Sequence, residues 1–194
     1  MDDVRLLERM RRGDERAFAD LFARHRPAVY RYAVHMCGPD GADDIVQEVF
    51  LALLQQLDRY DGSRAPLLSY LLGIARRQAL KRMAGPRLDR WPDVDSDAAA
   101  VSDTDSDAAT AAAGNPFDAL SQTEIIERVR LAISRLSPAH REAVVLCELN
   151  ELDYASAAVV MHCPIGTVRS RLHRARAQLA AQLEDMRTGA LVSG

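Results

Sequence analysis

No stretch of this 194-residue chain approaches the ~18 uncharged apolar residues that a membrane-spanning helix requires. The opening Met1-Asp2-Asp3-Val4-Arg5 lacks the apolar core of a secretory signal, so no membrane insertion and a cytoplasmic setting are expected. Cysteine is scarce: Cys37, Cys147 and Cys163 are odd in number and widely spaced, which excludes a disulfide framework and a zinc knuckle. His35 with Cys37, and His162 with Cys163, each lack a second pair at ligand spacing, so no metal is expected and the thiols read as small buried side chains. Also missing are a glycine-rich phosphate loop, a His-Glu-x-x-His pair and a serine in a nucleophile elbow. Asp44 and Glu48 share one helix face, but no histidine or second carboxylate helix completes a site. No catalytic residue, no cofactor and no enzyme activity are expected.

What the chain does have is charge sorted by region. A formal net charge of -3 and a pI near 6.0 argue against indiscriminate coating of nucleic acid, yet the sum conceals a partition. Between Gly85 and Leu120 stand eight aspartates against Arg87 and Arg90, with eight alanines between 98 and 113. That composition, over 85–118, reads as a disordered acidic Ala/Asp/Ser-rich linker. On either side the apolar residues recur at helical spacing. Residues 1–84 read as helices, with Pro27 starting or kinking one of them, Gly38-Pro39-Asp40-Gly41 as a turn, and Asp43 or Asp44 capping the next. Residues 119–187 return to the same pattern, with Ser137-Pro138 as N-cap and first helical residue, and 188–194 read as a frayed tail. The predicted fold is all-α: two small helical domains on a flexible acidic linker.

The strongest functional signal lies in the run Cys163 to Arg176. Val168, Leu172, Ala175 and Leu179 fall on one side of a 3.6-period helix. Arg169, Ser170, His173 and Arg174 and, nearer the boundary, Arg171 and Arg176 are left to the other side, and no carboxylate occurs between Ile165 and Ala181. Such a face suits phosphates and guanine edges. Upstream, Asp153 caps a short helix through Met161, so the pair follows the helix-turn-helix plan, whose second helix enters the major groove. A solvated C-terminal helix gives the same local pattern. In the first half, Tyr60, Asp61, Ser63, Arg64 and Tyr70 interleave aromatic with polar or basic groups ahead of Arg76, Arg77 and Lys81. A loop of that kind can hold unstacked bases while the helix binds backbone; core-edge tyrosines read the same way.

With those residues in view, the chain resembles an extracytoplasmic-function RNA polymerase sigma factor of the sigma-70 family, and the likeness covers nearly everything outside the linker. Ala17 to Phe22 with Tyr30 resembles the start of region 2. Asp43-Asp44-Ile45-Val46-Gln47-Glu48-Val49-Phe50 resembles the helix that packs on the clamp of the polymerase large subunit. Tyr70-Leu71-Leu72-Gly73-Ile74-Ala75-Arg76 stands where Trp-Leu-x-x-Ile-Ala-Arg is usual. Leu136-Ser137-Pro138 and Arg141-Glu142-Ala143-Val144 resemble the opening of region 4. The resemblance implies core polymerase binding through Asp43, Asp44, Gln47, Glu48 and Phe50. It implies -10 binding, including a flipped base of the melted non-template strand, around Tyr60 to Arg64, Tyr70, Arg76, Arg77 and Lys81. It places the -35 duplex on Thr167, Arg169, Ser170, Arg171, His173 and Arg174. It also implies an inhibitory anti-sigma partner. One departure stands out: the usual Tyr-Glu-Glu-Ile-Ala is Tyr154-Ala155-Ser156-Ala157-Ala158, and the missing methylenes are expected to loosen the second domain by ~1 to 3 kcal/mol where nothing fills the space. Two rivals stay open on residues alone, a two-domain regulator that reads DNA without polymerase and an adaptor whose arginine face binds an acidic partner.

Overall fold

A computed structural model of the chain describes residues 2–63, 65–84 and 122–192, with backbone alone at 84 and 186–192. The expected linker at 85–118, Arg64, and the last two residues of the expected tail lie outside the described residues. Among the described residues there is no strand, and eight α-helices follow one another: α1 (Asp3–Arg11), α2 (Glu15–Cys37), α3 (Pro39–Gln55), α4 (Leu67–Ala84), α5 (Gln122–Arg135), α6 (Pro138–Val144), α7 (Tyr154–Met161) and α8 (Ile165–Val192). A 3-10 turn at Leu57–Arg59 precedes α4, and a π turn at Val145–Leu149 extends α6. The all-α expectation is met.

Local chemistry sets most of the boundaries. Asp14 Oδ1 accepts from the Arg16 and Ala17 amides at 3.0 and 3.3 Å, satisfying two of the orphan donors that open α2. Ser137 does the same for α6 through the His140 amide, with Pro138 in the first turn, as its sequence predicts. Asp153 caps α7 by accepting from the Ser156 amide at 2.8 Å. His162, at φ 52 and ψ 45, supplies the left-handed residue that ends α7 and turns the chain into α8.

Three boundaries differ from expectation. Pro27 starts nothing: it lies inside the 23-residue α2, where the fully buried Leu21, Val29 and Tyr32 hold the helix together through tertiary packing. The turn expected over 38–41 shrinks to Gly38 alone, because that residue takes φ 83 and Pro39 is already pre-set for a first helical turn. Asp43 and Asp44 therefore stand one turn inside α3 and cap nothing. Finally, α8 runs on to Val192, past the expected limit at 187.

Helices α1 to α4 bury Leu6, Leu21, Val29, Tyr32, Ile45, Leu53, Leu71 and Leu72, and α5 to α8 bury Leu146, Met161, Val168 and Leu172. The two bundles also pack on each other. Helix α7 lies against both α8 and α4, and α2 meets α5, α6 and the π turn. Ala157, where isoleucine is usual, is fully buried on α7, the helix that packs on both α8 and α4. At the centre of the junction Glu142 of α6, 0% exposed, accepts from Tyr32 Oη at 2.7 Å and from Arg76 Nε at 3.0 Å.

Candidate nucleic-acid interface

The face of α8 follows its period. Val168, Leu172 and Ala175 are buried and Leu179 is half-buried, while Arg169 and His173 are exposed and Thr167, Ser170, Arg171 and Arg174 sit at the margins, half-buried. The Arg169 guanidinium lies 5.8 Å from the centre of the Tyr154 ring, close enough for cation–π attraction to hold it out from the helix start. Ser170 Oγ donates to the Thr167 carbonyl at 3.0 Å, so its hydroxyl hydrogen is committed to the backbone. Arg176, two turns on from Arg169 on the same side of the helix, is paired with Glu148, Nε to Oε1 at 3.0 Å. That hydrogen bond raises the guanidinium pKa and removes Arg176 from the cationic face. All six residues expected on this face are thus brought to one helix, ordered from the αL turn at His162.

The acidic ridge of α3 is equally plain. Asp43, Asp44, Gln47 and Glu48 are exposed along it. Arg82 of α4 reaches Asp44 and Glu48, both at 3.4 Å, and Arg26 of α2 reaches Asp43 at 3.4 Å. These are surface pairs of small energy, and they leave the carboxylates available. Phe50 is a correction. It is 2% exposed, with its ring 4.7 Å from Phe22 and 6.4 Å from Phe18, so it belongs to the core and cannot meet a partner. Leu51 and Leu54, 48% and 44% exposed, extend the ridge instead. The signal for Leu51 was in the sequence, since four residues on from Gln47 and three from Glu48 is the same helix face.

The loop before α4 does not form one binding surface with all the residues expected of it. Tyr60 and Tyr70 lean on each other with centroids 5.1 Å apart, and Tyr60 Oη donates to the Ala65 carbonyl at 2.9 Å. Burial raises the Tyr60 hydroxyl pKa. Asp61 Oδ1 accepts from the Ser63 amide and hydroxyl at 3.0 and 2.7 Å, pinning the turn with both side chains exposed. Arg77 and Lys81 are exposed on α4, but Arg76 is 3% exposed and turned into the junction toward Glu142. In this arrangement Arg76 is no surface cation, and the partner that takes it lies 66 residues away in sequence. Glu142 stood out only within the Arg141-Glu142-Ala143-Val144 resemblance, and neither it nor Tyr32 carried a signal for this pairing.

Elsewhere the three cysteines are free and half-buried. Burial raises the Cys37 thiol pKa and pushes that of Cys147 up to about 11, which suppresses thiolate reactivity. Among the described residues no group of three metal-ligating side chains converges, and no helix is long and apolar enough to cross a membrane.

Two family models match the chain. Sigma-70 region 2 matches residues 21–85, and Sigma-70, region 4 matches residues 126–179. The ECF RNA polymerase sigma-E factor of Escherichia coli (strain K12) is 31% identical over 186 residues, covering 96% of each chain. The RNA polymerase sigma-H factor of Pseudomonas aeruginosa is 32% identical over 185 residues, covering 95% of each. Among solved structures, the sigma factor RpoE in complex with the anti-sigma factor NepR from Bartonella quintana superposes with a TM-score of 0.63 at 26% identity, over 86% of this chain and 96% of that one. CnrH in complex with the cytosolic domain of CnrY superposes at 0.66 and 24% identity, over 94% and 97%, and shares the fold.

Proposed function

The chain belongs to the sigma-70 family, in its extracytoplasmic-function class, and is a promoter-recognising subunit of RNA polymerase with no catalysis of its own; from that premise we propose how its residues divide the work. Residues 1–84 act as the core-polymerase and -10 module and 119–187 as the -35 module, joined by the acidic segment between them. The exposed ridge of Asp43, Asp44, Gln47 and Glu48, extended by Leu51 and Leu54, meets the polymerase large subunit. It offers charge at one end and apolar area at the other, which is the mixture that a specific protein interface uses.

The observation that carries the DNA reading is the outward face of α8, where Arg169, His173 and the marginal Arg171 and Arg174 stand over 17 positions without a carboxylate, from 165 to 181. Arginine suits this better than lysine because its planar fork meets guanine and phosphate in pairs. Helix α8 enters the major groove of the -35 duplex, Thr167 and Ser170 contribute at its start, and α7 crosses the backbone. At the -10 element the Tyr60 to Arg64 loop holds the melted non-template strand, with Tyr70 behind it and Arg77 and Lys81 on the phosphates. The protein works in the cytoplasm, where polymerase and chromosome meet. The RpoE relative is bound by an anti-sigma factor, NepR, and an anti-sigma factor that covers the polymerase-binding faces fits this chain also.

Run-off transcription from a promoter library, with purified core polymerase and with or without this chain, tests the reading. Start sites that depend on the chain and share spaced -35 and -10 elements support it. Tight duplex binding with no dependence on the core favours a stand-alone regulator.

A further inference from the structure

Elements named for positions -35 and -10 lie about 25 base pairs apart, or about 85 Å at 3.4 Å per step. In this structure α4 of the first bundle and α7 of the second touch, which sets their axes about 8–10 Å apart. One chain cannot read both elements in that arrangement. The bundles must separate to work, and the 37 residues from 85 to 121 are long enough, at most about 3.3–3.6 Å each, to let them.

The junction has a polar centre inside an apolar contact, since one cluster of buried apolar side chains runs through both bundles. Its centre is an ion pair, Arg76 with Glu142, 4% and 0% exposed at their side chains, joined by the Tyr32 hydroxyl on the same carboxylate oxygen. Further polar links flank the pair: Arg31 Nη1 donates to the Leu149 carbonyl and lies 3.4 Å from Asn150 Oδ1, and Arg141 Nη1 donates to the His35 carbonyl at 3.4 Å. A buried ion pair gains little net over hydration, because desolvation offsets its attraction. It locks geometry while it is made, and costs little to exchange for water or for another anion. The Arg76 guanidinium and Tyr32 hydroxyl converge on one carboxylate oxygen, an arrangement that serves a phosphate oxygen as well.

We propose that Glu142 is an intramolecular stand-in for a nucleic-acid phosphate: it holds the free chain closed by occupying Arg76 and Tyr32, and it gives them up to the -10 strand backbone when core polymerase holds the bundles apart. The second part rests on reading α4 as the strand-holding helix. The closed chain is then a self-inhibited form whose inhibitor is one carboxylate of region 4.

The test uses the full chain labelled with a fluorescent pair at two exposed positions, Arg16 on α2 and Ala177 on α8, each changed to cysteine in a background with the three native cysteines replaced by serine. Energy transfer reports separation, and a fluorescein-labelled twenty-residue oligo(dT) reports strand binding. Glu142→Gln is expected to lower transfer and to tighten oligo(dT) binding about tenfold, with a steeper salt dependence by about one phosphate contact. Tyr32→Phe, which deletes one hydroxyl and keeps the ring, lowers transfer by a smaller factor and decides the latch if Glu142→Gln fails to fold; its oligo(dT) binding gains less, because the same hydroxyl is one of the strand contacts. With core polymerase present Glu142→Gln and the parent bind alike, because the latch is already open, whereas Tyr32→Phe binds more weakly than either, having lost the hydroxyl that the strand would take. Unchanged transfer in a folded Glu142→Gln, or in Tyr32→Phe if that variant must decide, overturns the latch. Lowered transfer without tighter binding keeps the lock but overturns the phosphate exchange, and with it the reading of α4.

Discussion

The two cationic surfaces of this protein are built in opposite ways. On α8 Arg169 and His173 stand exposed on a stretch free of carboxylates, ordered by one apolar stripe and one αL residue at His162, with Arg176 paired to Glu148. On α4 the cations are committed within the chain: Arg76 to Glu142, Arg82 to Asp44 and Glu48, with Arg77 and Lys81 left outward. A duplex-reading helix meets a ligand that is always duplex, so its face can be pre-formed. If α4 holds the strand, as proposed above, its ligand exists only after the promoter opens, and an arginine occupied in the meantime would restrain non-specific binding.

The difference between core and ridge on α3 offers the largest expected effect. Phe50→Ala removes a ring packed on Phe18 and Phe22 and should lower stability by about 3–5 kcal/mol, visible as a large fall in the urea midpoint. Leu51→Ala, on the exposed ridge, should leave the midpoint within about 0.5 kcal/mol while weakening co-purification with core polymerase. If Phe50→Ala melts like the parent and only Leu51→Ala unfolds the chain, the buried and exposed faces of α3 are the reverse of those described.

On α8, Arg169→Ala should cost about 1–3 kcal/mol in duplex affinity and relax preference at one base pair if the guanidinium reads a base edge. Should it instead contact phosphate, binding weakens evenly across sequences and the salt slope falls by about one. Gel-shift titration against a promoter identified by run-off, at two salt concentrations, separates these. The same measurement on Arg176→Ala should show little change, because Glu148 already holds that side chain. Ala157→Ile presses on the seam between α7, α8 and α4, where overpacking costs about 1–3 kcal/mol. An unchanged melt of the full chain would mean that the seam has room, and that the alanine is a deletion left unfilled.

How much of this was legible depended on distance along the chain. The stripe of Val168, Leu172 and Ala175, the caps at Ser137 and Asp153 and the two helical bundles all follow from interactions within a few residues, which periodicity and capping preferences register. Phe50 was misplaced by treating a motif as a surface, although its neighbours at helical spacing already put it beside Val46, Val49 and Leu53. Pro27 inside α2 is a tertiary override of a local rule. The environment of Arg76 was invisible, since its partner Glu142 lies in the other bundle and nothing near either residue marks the pairing.

The smallest effect concerns protons at the junction. His35, beside the His35–Arg141 hydrogen bond, has its pKa lowered from 6.5, first by burial and then by Arg130, Arg141 and Arg31. A histidine whose folded pKa lies below its unfolded value binds fewer protons when packed than when released. The packed form therefore carries no penalty above pH 6.5, and loses stability progressively as pH falls below it. Urea midpoints of the full chain should decline as pH is lowered from 7.5 to 5.5, and His35→Gln should flatten that part of the decline by removing the proton that the three arginines repel. An equal slope in parent and variant would move the pH dependence to groups far from the junction, and leave the two bundles joined by contacts that no proton within this range can loosen.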